Sequence, residues 1–186
     1  NYILQLIYNP KPVAHGFVYG RSIVSNARPH LRRKMVLNID LKDFFPSVNF
    51  GRVRGLFLKK PYEFSHEVAT TLAQIVCFNQ KLPQGAPTSP VITNMLCVKL
   101  DRELTQLAKR CKCNYSRYAD DISFSTNQRA FPEEMVKERK ECIVLGDNLL
   151  KIIESNGFQI NEEKINLKDR MNRQEVTGLI VNEKIN

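Results

Sequence analysis

The stretch NYSRYADDISFSTN, residues 114–127, predicts a β-hairpin whose tip carries two adjacent aspartates, Asp120 and Asp121. Apolar and aromatic residues alternate with polar ones on both sides of the acidic pair, which is typical of strands joined by a tight turn. A second short apolar segment, MVLNID at residues 35–40, predicts a buried strand that ends in Asp40. Turn aspartates are common, and an aspartate at a strand end is often a cap. Carboxylates crowded on one rigid sheet, however, would repel one another strongly unless a cation lay between them.

Helix signals fill the chain between the strand and the hairpin. Asn49 is predicted to cap a helix that runs through Leu58, and Ser65 to cap the next one. The apolar stripe of that second helix is predicted to be Val68, Leu72, Ile75 and Val76. Ser89 as N-cap and Pro90 as first helical residue predict one long helix. Its predicted stripe is Ile92, Met95, Leu96, Leu100, Leu104 and Leu107.

Beyond the hairpin, Pro132 is predicted to begin a helix that Gly157 ends with a left-handed cap. FQIN at 158–161 and EVTGLIV at 175–181 predict further extended segments. Strand, helices, hairpin, helix and strand in this order are typical of an α+β fold of the ferredoxin-like (split βαβ) kind. That fold would bring the end of the 35–40 strand beside the hairpin tip.

Composition bounds the function classes. The 186 residues fit one domain, or one domain with a small lobe, and the 28 basic against 19 acidic residues give a formal charge of +9. This excess favours a polyanionic partner, although a solvated basic surface would show the same charge. No leader pattern and no long apolar stretch are evident, so a secreted or membrane protein is not expected. The five irregularly spaced cysteines indicate reduced thiols of a cytosolic protein.

Three clustered aspartates suit the transfer of phosphoryl groups. This chemistry needs positioned phosphates and positive charge where negative charge develops, rather than covalent help from the protein. Two Mg²⁺ ions roughly 3.5–4 Å apart can activate the attacking oxygen and stabilise the leaving one. Asp40, Asp120 and Asp121 would supply the hard oxygen ligands, with substrate phosphates and water completing the shells.

Four segments resemble the motifs of reverse transcriptases, in the family's order. NIDLKDFFPSV at 38–48 resembles motif A, LPQGAPTSPVITN at 82–94 motif B, YADD at 118–121 motif C and GFQINEEK at 157–164 motif D. The resemblance implies a right-hand polymerase palm with part of the fingers, and RNA-directed DNA synthesis from dNTPs with two Mg²⁺ ions as cofactors. It implies that Asp40 and Asp120 are the principal metal ligands, with Asp121 assisting. Lys164, at the end of motif D, would neutralise or protonate the leaving pyrophosphate.

The resemblance also implies a set of residues that bind the incoming dNTP. Phe45 aligns with the aromatic steric gate against the 2′ position of the sugar, and Leu41 lies beside the metal-binding Asp40 in the same motif. Gln84 and Gly85 would pack on the nucleotide and its template base, and Arg21 would contact the triphosphate. Three of the implied roles have a plainer structural alternative. Phe45 could be a core ring, PQGAP a turn before a helix, and Lys164 a surface cation.

Two further segments resemble signatures of the retron subgroup. Asn26, Ala27 and His30 match its NAxxH motif, and VTG at 176–178 (Val176, Thr177 and Gly178) matches the second signature. This subgroup implies a structured noncoding RNA partner that serves as template and primer, a cDNA product, a bacterial cytoplasmic location and a role in antiphage defence. NARPH at 26–30 could equally be an ordinary helix end with its histidine packed locally.

The predicted layout is partial fingers over 1–34 and a palm over 35–186, with fingers helices inserted near 61–82 and no thumb. We therefore expect a fragment or trimmed domain. Two alternatives remain open. One is a group II intron or abortive-infection reverse transcriptase, and the other is a non-catalytic RNA-binding scaffold with the same fold.

Overall fold

The computed structural model describes residues 2–139 and 142–185. The chain divides into two compact units. The first, here called the helical unit, combines residues 2–10 with 43–98. The second, called the sheet unit, combines residues 11–42 with the described residues from Lys99 onwards. Motif A is thus divided between them, since Asp40 belongs to the sheet unit and Phe45 to the helical unit.

Four helices belong to the helical unit: Tyr2–Ile7 (α1), Phe50–Leu58 (α3), His66–Val76 (α4) and Ser89–Leu96 (α5). The predicted caps are confirmed, because the Asn49 side chain accepts from the Arg52 N–H and the Ser65 side chain from the Val68 N–H. The predicted stripe of α4 is confirmed at Val76 but wrong at Val68 and Ile75, which are exposed. The other buried residues of this helix are Ala69 and Ala73.

The α-helices described in the sheet unit are Ile23–Ala27 (α2), Val98–Arg110 (α6, whose first residue belongs to the helical unit) and Asp147–Ser155 (α7). Short 3₁₀ helices lie at Arg28–His30 and Glu162–Lys164. Its strands are Met35–Lys42 (β1), Cys113–Tyr118 (β2), Asp121–Thr126 (β3), Val136–Arg139 (β4), Cys142–Leu145 (β5), Gln159–Ile160 (β6), Asn166–Asp169 (β7), Glu175–Val176 (β8) and Leu179–Ile180 (β9). None of the helices in the described ranges is long and apolar enough to cross a bilayer.

The central sheet is antiparallel, in the order β2-β3-β1-β6, with β7 also paired to β1. Leu37, Ile39 and Phe124 are buried, as are Leu100, Leu104 and Leu107 of α6. The strand at 35–40 and the hairpin around the two aspartates are therefore confirmed. Short apolar segments were sufficient to predict them, since β1 and β3 are buried along most of their length.

Two helix predictions are wrong. Ser89 is the first residue of α5 and not its cap, and the predicted long helix is interrupted at Cys97, where α5 ends and α6 follows. Pro132 does not begin a helix. A turn at 132–135 leads into the β4–β5 pair, and α7 begins only after Gly146. β-branched residues in this segment (Val136, Ile143 and Val144) favour the strands.

Other local predictions are confirmed. Gly157 follows the end of α7 with a φ of 74°, which is the left-handed conformation expected for a helix stop. The segments 158–161 and 175–181 contain the strands β6, β8 and β9. Among the cysteine side chains that the structure describes, Cys77, Cys97, Cys111 and Cys113 form no disulfide, in agreement with the predicted thiols. The side chain of Cys142 lies outside the described part.

Candidate active site

The register between β1 and β3 brings two of the predicted acids together. Asp40 lies directly opposite Asp121, and the neighbouring pair is Ile39 with Ile122. Residues opposite each other in an antiparallel pair point to the same face, with Cβ atoms about 4.5–5.5 Å apart. Like charges in such a position destabilise the sheet. Asp40 is also largely buried, so the pair forms an anionic centre.

The third acid, Asp120, lies in the two-residue turn between β2 and β3. Its neighbour Ala119 has a φ of 56°, which is the left-handed conformation that a tight hairpin turn requires. The Leu41 N–H donates to the Asp120 carbonyl at 3.1 Å, which ties the turn to the end of β1. Asp40, Asp120 and Asp121 therefore meet at one corner of the sheet unit.

Two groups from the segment after α7 contact Asp40. The Lys164 Nζ donates to its Oδ2 at 3.1 Å, and the Asn161 side chain donates to its Oδ1 at 3.4 Å. The Asn161 N–H also donates to the Asp40 carbonyl at 2.9 Å. Lys164 was predicted as a site residue, whereas Asn161 was not. The signal for Asn161 was its place in GFQINEEK, directly after the short strand that pairs with the end of β1.

The charges at this corner shift one another's protonation. Desolvation, followed by repulsion from Asp120 and Asp40, raises the pKa of Asp121 to about 6. Desolvation, to which repulsion from Asp40 adds, also raises the pKa of Asp120. The hydrogen bond to Asp40, together with its charge, raises the pKa of Lys164. The repulsion that adds to both aspartate shifts, together with the raised pKa of Lys164, indicates negative charge at this corner that favours cations.

The donor set fits divalent metal ions of the hard kind. Within residues 2–139 and 142–185, no three His, Cys, Asp or Glu side chains form a ready protein cage for an ion. Mg²⁺ does not require one, because it retains several waters and commonly takes one or two carboxylates plus substrate phosphates. Asp40, Asp120 and Asp121 offer only carboxylate oxygens, which are the hard donors that Mg²⁺ prefers.

Two other predicted site residues, Leu41 and Arg21, belong to the sheet unit, and the surroundings of their side chains limit how they could contact a ligand. The side chain of Leu41 is buried, at 1% exposure, so only its backbone could face a ligand. The Arg21 Nη1 donates to the Lys11 carbonyl at 2.5 Å and to the Ala14 carbonyl. These bonds fix Arg21 against the chain that precedes it.

The remaining predicted nucleotide-binding residues belong to the helical unit. Phe45 is partly buried, and its ring lies 5.3 Å from that of Phe44, which is the buried core ring of the two. Gln84 and Gly85 are exposed, and Gly85 has a φ of 87°, which explains why glycine is present there.

A family model described as reverse transcriptase (RNA-dependent DNA polymerase) matches residues 3–181. The chain belongs to the reverse transcriptase family. Among curated relatives, it is 40% identical to the retron Mx162 reverse transcriptase of Myxococcus xanthus over 97% of this chain. It is also 37% identical to the retron Ec86 reverse transcriptase of Escherichia coli over 92% of this chain. The recognition of a retron-type reverse transcriptase is thereby confirmed.

This reverse transcriptase chain spans 41% of the length of the Mx162 relative and 50% of the Ec86 relative. Among solved structures, it is similar to apo telomerase from Candida tropicalis, with a TM-score of 0.50 at 13% identity. That match covers 88% of this chain and 37% of the telomerase chain. At this identity the similarity shows the fold alone, a mixed α/β architecture.

The two retron signatures of this reverse transcriptase form one cluster in the sheet unit. Asn26 donates to the Thr177 hydroxyl at 3.4 Å, and Ala27 packs with Val176 in a buried apolar cluster. Thr177 and Gly178 both have positive φ and form the turn between β8 and β9. The segments are 151 residues apart in sequence, so their contact could not be predicted from either alone.

His30 of the first signature is fully buried. Its Nδ1 lies 2.7 Å from the Ser125 hydroxyl and its Nε2 2.8 Å from the Ser116 hydroxyl. This geometry agrees with the alternative in which the histidine packs locally, and it joins the 3₁₀ helix after α2 to both strands of the acidic hairpin. The RNA-binding role of the signature stays a prediction, and any direct contact would have to come from exposed neighbours such as Arg28.

We expect His30 to make stability depend on pH. Burial, and to a lesser extent the charges of Arg33 and His15, lower its pKa from 6.5 to about 3. Between those values the unfolded chain binds a proton that the folded chain excludes, so stability is lost as the pH falls below 6.5. At pH 7, His30→Gln is expected to be less stable than the parent. Because glutamine does not titrate, that gap should narrow by about 2 kcal/mol at pH 5. Denaturant unfolding at both pH values measures it, and a constant gap would contradict the prediction.

Proposed function

We propose that this chain is the catalytic core of a retron reverse transcriptase that extends a primer 3′-hydroxyl with dNMP units on an RNA template. The observation that carries the proposal is the convergence of Asp40, Asp121 and Asp120 at the corner between β1 and the hairpin. Because the chain spans about half or less of its curated relatives, this activity is a proposal for the whole protein. The antiparallel sheet with its helices supports the ferredoxin-like palm of a right-hand polymerase.

In this proposal, Asp40, Asp120 and Asp121 would hold two Mg²⁺ ions. When bound, the ions activate the attacking hydroxyl and stabilise the leaving oxygen. The chain itself presents the three carboxylates on rigid strands, and Asn161 fixes the orientation of Asp40. Lys164 keeps its proton, since the neighbouring carboxylates raise its pKa, and it is 61% exposed. It could therefore neutralise or protonate the pyrophosphate that leaves.

The residues proposed to bind the dNTP divide by role. Phe45 would exclude a 2′-hydroxyl, while Gln84 and Gly85 would pack on the nucleotide and template base. Arg21 would contact the triphosphate through guanidinium donors other than Nη1. Leu41 would contribute its backbone, because its side chain is buried.

The proposed partner is a structured noncoding RNA that provides template and primer, with cDNA as product. The formal charge of +9 supports a polyanionic partner. RNA helices are recognised mainly by shape and backbone, which suits scattered basic clusters such as Arg28 with Arg32 and Arg33. A bacterial cytoplasmic location, antiphage defence, and the assignment of 1–34 to the fingers and 35–186 to the palm belong to the same proposal.

A primer-extension assay tests the function. The purified protein is incubated with an RNA template annealed to a DNA primer, Mg²⁺ and dNTPs, and the product length is read on a gel. Extension that requires both RNA and Mg²⁺ supports the proposal. Tight RNA binding without extension would instead identify the non-catalytic scaffold.

Sugar selection gives a second test. Phe45→Val is expected to raise the ratio of rNTP to dNTP incorporation by roughly tenfold to a hundredfold, since a smaller side chain no longer excludes the 2′-hydroxyl. Phe44→Val is the matched control. Loss of that buried ring should reduce stability by about 1–3 kcal/mol and leave the ratio unchanged. The measurement is kcat/KM for each nucleotide; equal ratios in the two variants would remove Phe45 from the gate.

A further inference from the structure

A fully buried ion pair joins the first strand of the acidic hairpin to α6. Arg117 on β2 has 0% side-chain exposure and Asp101 on α6 has 1%. The Arg117 Nε donates to one carboxylate oxygen at 2.8 Å and its Nη2 to the other at 2.8 Å. The Tyr115 hydroxyl donates to the same carboxylate at 2.7 Å. The carboxylate is thus held by three donors away from water.

The third nitrogen of the guanidinium has a different target. The Arg117 Nη1 donates to the carbonyl of Ala119 at 3.0 Å. Ala119 is the left-handed residue of the turn, and its carbonyl belongs to the peptide bond that leads into Asp120. One planar side chain therefore joins the acid on α6 to the backbone that carries a proposed metal ligand.

The segment before α2 binds the backbone of Arg117. The Arg117 N–H donates to the Val13 carbonyl, and its carbonyl accepts from the His15 N–H, each at 2.8 Å. Gly16 then approaches the turn so closely that a Cβ there would lie 2.4 Å from the Ala119 nitrogen. The turn is therefore fixed by backbone as well as by the guanidinium.

Stability alone does not account for the ion pair. Desolvation offsets most of the attraction in a buried pair, and replacement of both partners by apolar residues is often neutral or stabilising. An apolar replacement cannot donate to the Ala119 carbonyl, however. Lysine could neutralise Asp101 but lacks the planar fork that reaches a carboxylate and a carbonyl together.

We infer that Arg117, oriented by Asp101, is a positioning residue that sets the conformation of the Ala119–Asp120 turn and thereby the affinity of the acidic corner for divalent cations. The metal-binding and catalytic consequences rest on the proposed function. The conformational consequence does not, since it concerns the folded protein alone.

The test is a variant that removes the pair without leaving an unpaired buried charge. Arg117→Met, Asp101→Leu and Tyr115→Phe are combined, and Arg117→Lys is prepared beside them. Arg110→Met, which removes an exposed ion pair with Glu134, is the control. The full protein is used throughout. Amide hydrogen exchange over residues 118–121 is measured without metal, Mn²⁺ affinity by electron paramagnetic resonance, and primer extension at several dNTP concentrations.

For the triple variant we expect a melting temperature within a few degrees of the parent, exchange in the turn faster by about tenfold, and Mn²⁺ bound about tenfold more weakly. Arg117→Lys should show the same loosened turn. In primer extension, kcat should fall while the KM for dNTP changes by less than about threefold. The control should match the parent in every measurement.

Parent-like exchange and Mn²⁺ affinity in the folded triple variant would overturn the inference and leave the pair a packing feature. If the parent protein extends no primer, the proposed function fails on its own. The exchange measurement would still decide whether Arg117 positions the turn.

Discussion

Asp120→Asn is expected to reduce primer extension by about 10³-fold or more, with little change in the amount of folded protein. An amide keeps the shape of the carboxylate but removes the negative charge that would hold the metal ions. A rate loss of about 10³-fold corresponds to an activation free energy that is higher by about 4 kcal/mol, which is reasonable for a group that acts on the transition state through a metal ion. The measurement is single-turnover extension on an RNA template at saturating dNTP and Mg²⁺.

Stability should change in the opposite direction to activity. At pH 7 and without metal, desolvation disfavours the charged forms of Asp120 and Asp121 and raises the pKa of both, and repulsion from neighbouring carboxylates adds to it. Replacing Asp120 removes one of the charges, so the metal-free variant should be at least as stable as the parent. The gain should not exceed about 1 kcal/mol, because the site is partly exposed and solvent screens the repulsion.

Asp147→Asn is the matched control for this experiment. Asp147 is an exposed aspartate at the start of α7 whose carboxylate pairs with Lys137. Its replacement should leave extension unchanged. If Asp120→Asn retained activity within about tenfold of the parent, the acidic corner would not be the metal site. If it lost activity together with stability, misfolding would explain the result instead.

The hairpin and β1 could be predicted because their signals are local. Apolar alternation around two aspartates gives a strand, a turn and a strand, and the order of four motifs gave the family. The pairing of Asp40 with Asp121, which are 81 residues apart in sequence, depends on the register between β1 and β3. The motifs predict that the acids lie close together, but only the folded sheet gives the cross-strand partner and the contacts of Lys164 and Asn161.

Other features, such as the buried ion pair and the β4–β5 strands, depend on packing that a local sequence pattern does not predict. Asp101 falls on the buried side of α6 with Leu104 and Ala108, so an acid in an apolar stripe was a visible signal of a buried cation partner. Its partner, Arg117, lies 16 residues further along the chain. The wrong helix from Pro132 has a similar origin, since the β4–β5 pairing and the break at Gly146 competed with a weak helical pattern.

Gly16→Ala is the substitution whose effect depends most directly on this packing. A Cβ at residue 16 would lie 2.4 Å from the Ala119 nitrogen and 2.9 Å from the Tyr118 carbonyl carbon. Both atoms are backbone, so neither can move aside by a change of rotamer, and the turn that carries Asp120 must shift. We expect a loss of about 2–3 kcal/mol in the free energy of unfolding. Extension should fall by about a hundredfold, since displacement of a catalytic group by about 1 Å costs on that order.

Gly55→Ala provides the same chemical change without the contact. Gly55 lies within α3, and a Cβ there would meet no atom within 4 Å. Alanine should therefore stabilise the helix by about 0.5–1 kcal/mol and leave extension at the parental rate. Urea unfolding and primer extension of both variants measure the contrast. Equal behaviour of the two would mean that the turn tolerates the added methyl group, and the acidic corner would then not depend on the close approach of residue 16 to the hairpin.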